Sequence, residues 1–312
     1  MSYTKIINSL LKLVGLNLSR TRPTYIKDKI RTVKIGKYDM LINGKSLLPI
    51  FLEGTPYYES MVPRLTKTVV GKYPDLTFLD IGSYIGDTAA LILSEVTVPF
   101  VCIEGDDLFY DLLQKNMKQF DKISTHKVFL GEEKTSVLGN MQSKQTTNFG
   151  SIRKLDSKIK GEGDQVLNMI PLDLFVEKNE LAVTLKLVKI DTDGYDLKIL
   201  RGGAKFLEET KPVLFIEYDR VLIEEVGDNA LSGLAFLAGL GYSTAIFYDN
   251  SGRMLLSGDI EDRRLMQQLD SYIKNRNAAF SYFDIALFHK DDEDIAQRFI
   301  TSEMKFYNYN NH

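Results

Sequence analysis

The sequence predicts an α/β protein: a doubly wound, mostly parallel sheet of seven strands, preceded by a helix and a β-hairpin. Three observations predict it. Short apolar runs alternate with helical patterns through the middle of the chain. The run Thr77–Ile81 ends in Gly82-Ser83-Tyr84-Ile85-Gly86 and then in the helical Ala89-Ala90-Leu91-Ile92-Leu93, which is a strand, a tight turn and a helix start. The next apolar run, Val101-Cys102-Ile103, ends in Glu104, 22 residues beyond Gly82.

In chain order, residues 4–17 carry Ile6, Ile7, Leu10, Leu11, Val14 and Leu16 at helical spacing, with Lys5 and Lys12 between them. Basic residues from Arg20 to Lys34 follow. This helix is expected to pack on its own domain or across a homodimer, with contact to an anionic membrane surface as the second reading. The partly alternating stretch Val33–Phe51 holds Asn43-Gly44 between apolar runs, the signal of a hairpin turning at that pair. Strands are then expected at Thr77–Ile81, Phe100–Glu104, Thr125–Leu130, Leu185–Asp191, Val213–Tyr218, Ser243–Tyr248 and Phe283–Phe288. Helices are expected at Asp107–Phe120, Asp196–Leu207 and Asn229–Leu240, the last closed by Gly241. A hairpin-like excursion and a helix separate the last two strands. Glu132 to Asp164 is a polar insertion without long apolar period, expected either to cover the cofactor edge at the sheet's carboxyl side or to be a simple surface loop. The divisions are an extension at 1–70 packing on the core, a ligand-binding domain at 71–290 and a C-terminal tail at 291–312.

Composition sets bounds. At 312 residues and 44% hydrophobic content the chain buries a sizeable core, and a net charge of −3 argues against a nucleic-acid binder. The single Cys102 excludes intrachain disulfides and fits a reducing cytoplasm. No apolar run approaches the roughly 18 residues of a membrane span, and no secretory signal is expected. Any membrane association would be peripheral, at the inner face.

The glycine turn specifies its ligand. A carboxylate about 20 residues past such a turn is placed to hold two ribose hydroxyls. The dinucleotide pattern G-x-G-x-x-G is broken, because Tyr84 stands where its middle glycine belongs. Asp80 and Asp87 flank the turn and add negative charge where a diphosphate would sit. A cationic, phosphate-free nucleoside fits better, and S-adenosylmethionine is one. An NAD-type oxidoreductase and a non-catalytic module that only binds S-adenosylmethionine are the alternatives. Nucleotide titration discriminates the first and a transfer assay the second.

A second constellation ends the fourth strand: Lys189-Ile190-Asp191-Thr192-Asp193-Gly194-Tyr195-Asp196. In open α/β sheets ligands bind beyond the strands' carboxyl ends, where strand order reverses. Asp191 and Asp193 should face that crevice, and strand five ends alike in Glu217-Tyr218-Asp219. A hydroxyl nucleophile must lose a proton. His126, His289 and His312 are poorly placed, so carboxylates are the candidate bases, Asp191 first and Glu217 second. Oxygen ligands would suit Mg²⁺, yet no dedicated metal spacing exists, and no metal is expected.

On LDIGSYIGDTA at 79–89, IEGD at 103–106, Pro171-Leu172-Asp173, VKIDTDGYDLKILRGG at 188–203 and FIEYD at 215–219, the chain resembles FkbM-type S-adenosylmethionine-dependent methyltransferases. The resemblance spans about 75–220. Where that family has K-I-D-V-E-G-x-E, this chain has Asp193 and Asp196, which keep charge and shorten reach by a methylene. The resemblance implies a class I methyltransferase (Rossmann-like) fold and O-methylation of a sugar, glycan or glycosylated metabolite. The cofactor residues are then Asp80, Gly82, Tyr84, Gly86, Asp87, Thr88, Glu104, Gly105, Asp106 and Asp191. Tyr58, Glu59, Asn148, Asp193 and Asp219 fall to the acceptor side.

Overall fold

The computed structural model describes residues 29–55, 57–139, 165–181, 184–274 and 279–309; the helix expected over 4–17, Asn148, most of the polar insertion and His312 lie outside the described residues. The chain enters as a hairpin of β1 (Ile30–Ile35) and β2 (Tyr38–Asn43), followed by α1 (Leu48–Gly54) and α2 (Met61–Val70). The hairpin turns at Gly36-Lys37, not at Asn43-Gly44, with Gly36 at φ +56°. Asn43 instead closes an Asx turn on the Lys45 N–H at 2.9 Å, and Pro49 then favours the first turn of α1.

The alternation follows: β3 (Thr77–Ile81), α3 (Asp87–Leu93), β4 (Phe100–Glu104), α4 (Asp107–Met117) and β5 (Ile123–Lys127). The expected third strand is split. After Lys127 the chain leaves the main sheet, and β6 (Phe129–Gly131), β7 (Thr135–Gly139) and β8 (Gln165–Pro171) pair as a second sheet of order β6-β8-β7. α5 (Leu172–Lys178) and β9 (Leu185–Ile190) come next. The single helix expected over Asp196–Leu207 is two, α6 (Asp196–Arg201) and α7 (Ala204–Thr210). They part at Gly202-Gly203, where a Cβ on Gly202 would stand 2.2 Å from the Gly131 carbonyl oxygen. The chain ends with β10 (Val213–Tyr218), α8 (Arg220–Glu225), α9 (Ala230–Gly239), β11 (Tyr242–Asp249), β12 (Met254–Asp259), α10 (Arg263–Lys274), β13 (Phe283–His289) and α11 (Glu293–Tyr309).

Among the described residues the main sheet has eight strands rather than seven, in the order β12-β11-β13-β10-β9-β3-β4-β5. The added strand is β12, the outer half of the expected excursion. Pairing from β10 through β9, β3 and β4 to β5 is parallel, whereas β13 runs antiparallel to both β10 and β11. Helices cover both faces, so this is the doubly wound sheet of the class I methyltransferase type. Among the described residues no helix is long and apolar enough to cross a membrane.

Strand periodicity sorts the core. Leu79, Ile81, Val101, Ile103, Val188, Ile190, Leu214 and Ile216 pack on one face. Phe78, Phe100, Cys102, Leu187, Val213 and Phe215 pack on the other, beneath α2, α3, α4 and α11. The same alternation carries Asp80, Glu104, Lys189, Glu217 and Asp284 to that second face, at the edge where the parallel strands end. The β1–β2 hairpin joins this layer through Ile35, Met40 and Ile42. Asn116 of α4 fixes it, accepting from the Leu41 N–H at 2.7 Å and donating to the Leu41 carbonyl at 2.9 Å.

Candidate active site

A cleft of about 1210 Å³, its open mouth included, lies at the carboxyl ends of β3, β4 and β9. The turn after β3 forms one wall. Gly82 sits at φ +83°, and a Cβ there would stand 1.9 Å from the Asp191 carbonyl oxygen, so only glycine lets the ends of β3 and β9 touch. Tyr84 adopts φ +49°, which turns its N–H onto Glu104 Oε2 at 2.9 Å. The Asp106 N–H donates to Glu104 Oε1 at 2.8 Å. Burial pushes the Glu104 carboxyl up to about 7, and these two N–H donors oppose that rise. Each oxygen keeps acceptor capacity towards the cleft. Gly105 leaves room for the Phe129 ring, which a Cβ would meet at 2.3 Å. Tyr84 and Phe109, both lining the cleft, meet edge to face at 4.6 Å between centroids.

The other wall is acidic. Asp87, Thr88, Glu59, Asp191 and Asp193 line it, with Tyr58 and Lys189. Lys189 is buried and donates to Asp191 Oδ2 at 2.9 Å, with Glu59 Oε1 3.6 Å away. Burial alone would lower the Lys189 ammonium, but Asp191, Glu59 and Asp80 outweigh it and hold the ammonium charged well beyond its ordinary range. Thr88 Oγ1 donates to Glu59 Oε2 at 3.0 Å, and Glu59 itself stands at φ +51°, a strained backbone for a non-glycine residue. Desolvation, with the charges of Glu59, Asp87, Tyr282 and Asp191, raises the Tyr58 phenol well above its usual value.

The structure gathers most residues expected from sequence at the cleft, but Asp80, Gly86, Glu217 and Asp219 do not line it. Asp80 does not line the cleft; it is buried under the glycine turn, where neither carboxylate oxygen accepts a hydrogen bond among the described residues. The Ser83 hydroxyl donates to the Asp80 carbonyl instead, at 2.7 Å. Asp219 is withdrawn from the acceptor side: its buried carboxylate caps α8, accepting from the Val221 and Leu222 N–H groups at 2.9 and 3.2 Å. Asp106, which does border the cleft, likewise caps α4 through Leu108 and Phe109. Glu217 stands beside the cleft rather than in its wall, opposite Asp284 in the β10–β13 register. Burial, then Asp191 and the neighbouring carboxylates, push Glu217 well above its ordinary range. Asp196 holds Thr192 through its N–H and hydroxyl, and burial pushes it up to about 7. Gly86, at φ +87°, closes the turn into α3.

Lys189, Tyr282 and Asp284 are what the sequence reading missed. Lys189 had a signal, a lysine inside the otherwise apolar Leu185–Ile190 strand. Asp284 had none, because its place follows from antiparallel register with a distant strand. Among the described residues no three His, Cys, Asp or Glu side chains converge to hold a metal ion. His126 packs edge-on against Phe175 and His289 is buried at the end of β13, both away from the cleft.

Comparison with known proteins gives the site its relatives. The sequence profile of the methyltransferase FkbM domain matches residues 80–244, more than half of the chain. No curated protein matches it by sequence. Among solved structures, the chain is similar to methyltransferase FkbM from Methylobacillus flagellatus KT at 19% identity and TM-score 0.33, over 46% of this chain and 33% of that one. It is similar to the O-methyltransferase from Bacillus cereus in complex with SAH at 13% identity and TM-score 0.39, over 78% of this chain and 88% of that one. For N-methyltransferase NodS from Bradyrhizobium japonicum WM9 the values are 10% identity and TM-score 0.39, over 75% and 96% of the two chains. The chain thus spans about a third of the length of the FkbM protein it is matched to. The glycine turn, the Glu104 carboxylate and the Asp191 strand end all fall inside the matched residues, and the chain belongs to the FkbM methyltransferase domain family.

Proposed function

We propose that the chain is an S-adenosylmethionine-dependent O-methyltransferase whose acceptor is a hydroxyl of a sugar, glycan or glycosylated metabolite. The observation that carries the reading is Glu104, a half-buried carboxylate held by two backbone N–H groups and facing the cleft beside a glycine-made wall. That geometry suits a vicinal diol. The donor set fits this cofactor and not a dinucleotide: Asp87, Glu59 and Asp191 occupy the wall where a diphosphate would need donors. When bound, S-adenosylmethionine supplies an electrophilic methyl carbon on a sulfonium.

The chain's own residues supply position and a proton acceptor. Tyr84 and Phe109 flank the Glu104 side with aromatic surface. Asp191, its carboxylate pinned by Lys189, is the group placed to accept the hydroxyl proton at Oδ1 or Oδ2. Closing the site around a hydroxyl and an electrophile contributes mainly through proximity. Membership of the FkbM family supports the reaction class, and the resemblance in sequence supports the carbohydrate acceptor. Incubation with methyl-labelled S-adenosylmethionine and a panel of glycans tests it. Label on a hydroxyl is the expected result. Tight NAD binding without S-adenosylmethionine binding, or bound nucleoside with no transfer to any member, would overturn it.

A further inference from the structure

Among the described residues, Lys189 is the cation at the hub of a ring of carboxylates. In register it lies directly beside Asp80 on the neighbouring parallel strand. Their alternation puts both side chains on the same face, with Cys102 next on β4. From the segment before α2 comes Glu59, from the start of α3 Asp87, from beyond β9 Asp191 and from β13 Asp284. Five carboxyl groups therefore share one ammonium. Lys189 spends its shortest contact on Asp191 and leaves Asp80, fully buried, with neither oxygen hydrogen-bonded among the described residues. An unpaired buried carboxylate is costly unless it takes a proton or a counter-charge.

We propose that this carboxyl ring exchanges a proton for the ligand's sulfonium charge, releasing one when S-adenosylmethionine enters and none when the demethylated S-adenosylhomocysteine does. The inference rests on the methyltransferase reading of the same cleft. Its consequence concerns product release. S-adenosylmethionine carries one positive charge more than S-adenosylhomocysteine. A methyl group passing to a hydroxyl leaves a neutral thioether and one proton: the O–H and S–C bonds break, the O–C bond forms, and sulfur keeps the S–C electron pair. If the ring retains the proton, the charge in the site is unchanged, while the ligand has lost its attraction to the ring. The cleft thereby favours the cofactor it uses over the one it has spent. Burial pushes Asp80 up to about 6, Lys189 opposes this and Glu59 adds to it, so the exchange falls near pH 6.

Titration calorimetry of the full chain with each nucleoside, in two buffers of different ionisation enthalpy, reads the proton count directly. S-adenosylmethionine should release about half a proton near pH 6 and close to one about a pH unit below. Its affinity should rise by up to about tenfold per pH unit there and level off above, as linkage to one proton requires. S-adenosylhomocysteine affinity should stay flat. Asp80→Asn should reduce the proton count and narrow the affinity ratio between the two. Equal proton counts for both nucleosides in the wild-type chain would overturn the proposal and leave the methyltransferase reading standing. Failure of either nucleoside to bind would overturn both.

Discussion

The seam between α2 and α11 and the floor of the cleft both bury carboxylates, and they treat them oppositely. At the seam, Glu303 is fully buried and fully partnered. Arg64 grips it with Nε and Nη2 at 2.6 and 2.8 Å, and the Tyr248 hydroxyl donates at 3.1 Å. The Arg64 guanidinium also lies 3.7 Å from the Phe306 ring centroid. On the cleft side, Asp80, Asp196 and Glu217 hold all the buried side-chain oxygens and nitrogens that lack a partner among the described residues. Each ends or follows a parallel strand at the sheet's carboxyl edge. Where a buried charge holds the fold together, the fold supplies its donors. Where donors are withheld, burial pushes the carboxyl above its ordinary range.

Breaking the seam should produce the largest effect. Arg64→Met removes the partner of a fully buried carboxylate and should cost about 3–5 kcal/mol of stability, read by denaturant unfolding. A loss under about 1 kcal/mol would show that Glu303 takes a proton without penalty. The floor should respond in the opposite direction. The folded-state pKa of Asp80 lies above its ordinary 3.8, at about 6, so the folded state disfavours ionisation. That penalty is absent below about pH 4, grows as pH rises through the interval and is complete above about 6. Asp80→Asn should therefore stabilise the ligand-free chain by up to about 3 kcal/mol at pH 7, and by nothing at low pH. Destabilisation at pH 7 would mean that Asp80 is a structural carboxylate like Glu303.

The two regions were also unequally legible in the sequence. The glycine turn, Glu104 and Asp191 could be read because their geometry is local: a strand, a turn and a helix lie within a dozen residues, and the next strand follows at fixed spacing. Gly82 is obligatory for a contact with residue 191, but φ +83° leaves the same signature in sequence as any tight turn. Asn43-Gly44 and Gly36-Lys37 are both adequate hairpin turns by sequence. Burial of Ile35, Met40 and Ile42 under the sheet chose between them. Asp80 and Asp219 read as ligand residues because sequence shows that an acid ends a strand, not whether it points to ligand, core or helix N-terminus. Asp284 and the seam from Arg64 to Glu303 depend on long-range register and packing, to which no local pattern corresponds.

On the ligand side of the comparison, Glu104 is the intermediate case, a half-buried carboxylate given two donors and open to the cleft. Glu104→Ala should lower S-adenosylmethionine affinity by about 1–3 kcal/mol, measured by calorimetry, because two ligand hydroxyls would lose their acceptor. The same change also frees the Tyr84 and Asp106 N–H groups, so Glu104→Gln serves as the companion variant. It keeps one acceptor oxygen and should fall between wild type and alanine. Unchanged affinity in both would show that Glu104 serves only to hold the turn.

Asp106 should give the smallest effect and draws the line between capping and binding most finely. Its carboxylate borders the cleft, but Oδ1 already accepts from the Leu108 and Phe109 N–H groups at 2.9 and 3.0 Å. Asp106→Ala removes an N-cap and should cost about 1 kcal/mol of stability. Its N–H still donates to Glu104, so nucleoside affinity should stay within about twofold. Asp106→Asn keeps the cap and should restore stability. If instead alanine weakens binding as much as the Glu104 change does and asparagine does not rescue it, the Asp106 carboxylate itself touches the ligand. The cap would then be the means by which α4 holds that carboxylate in place.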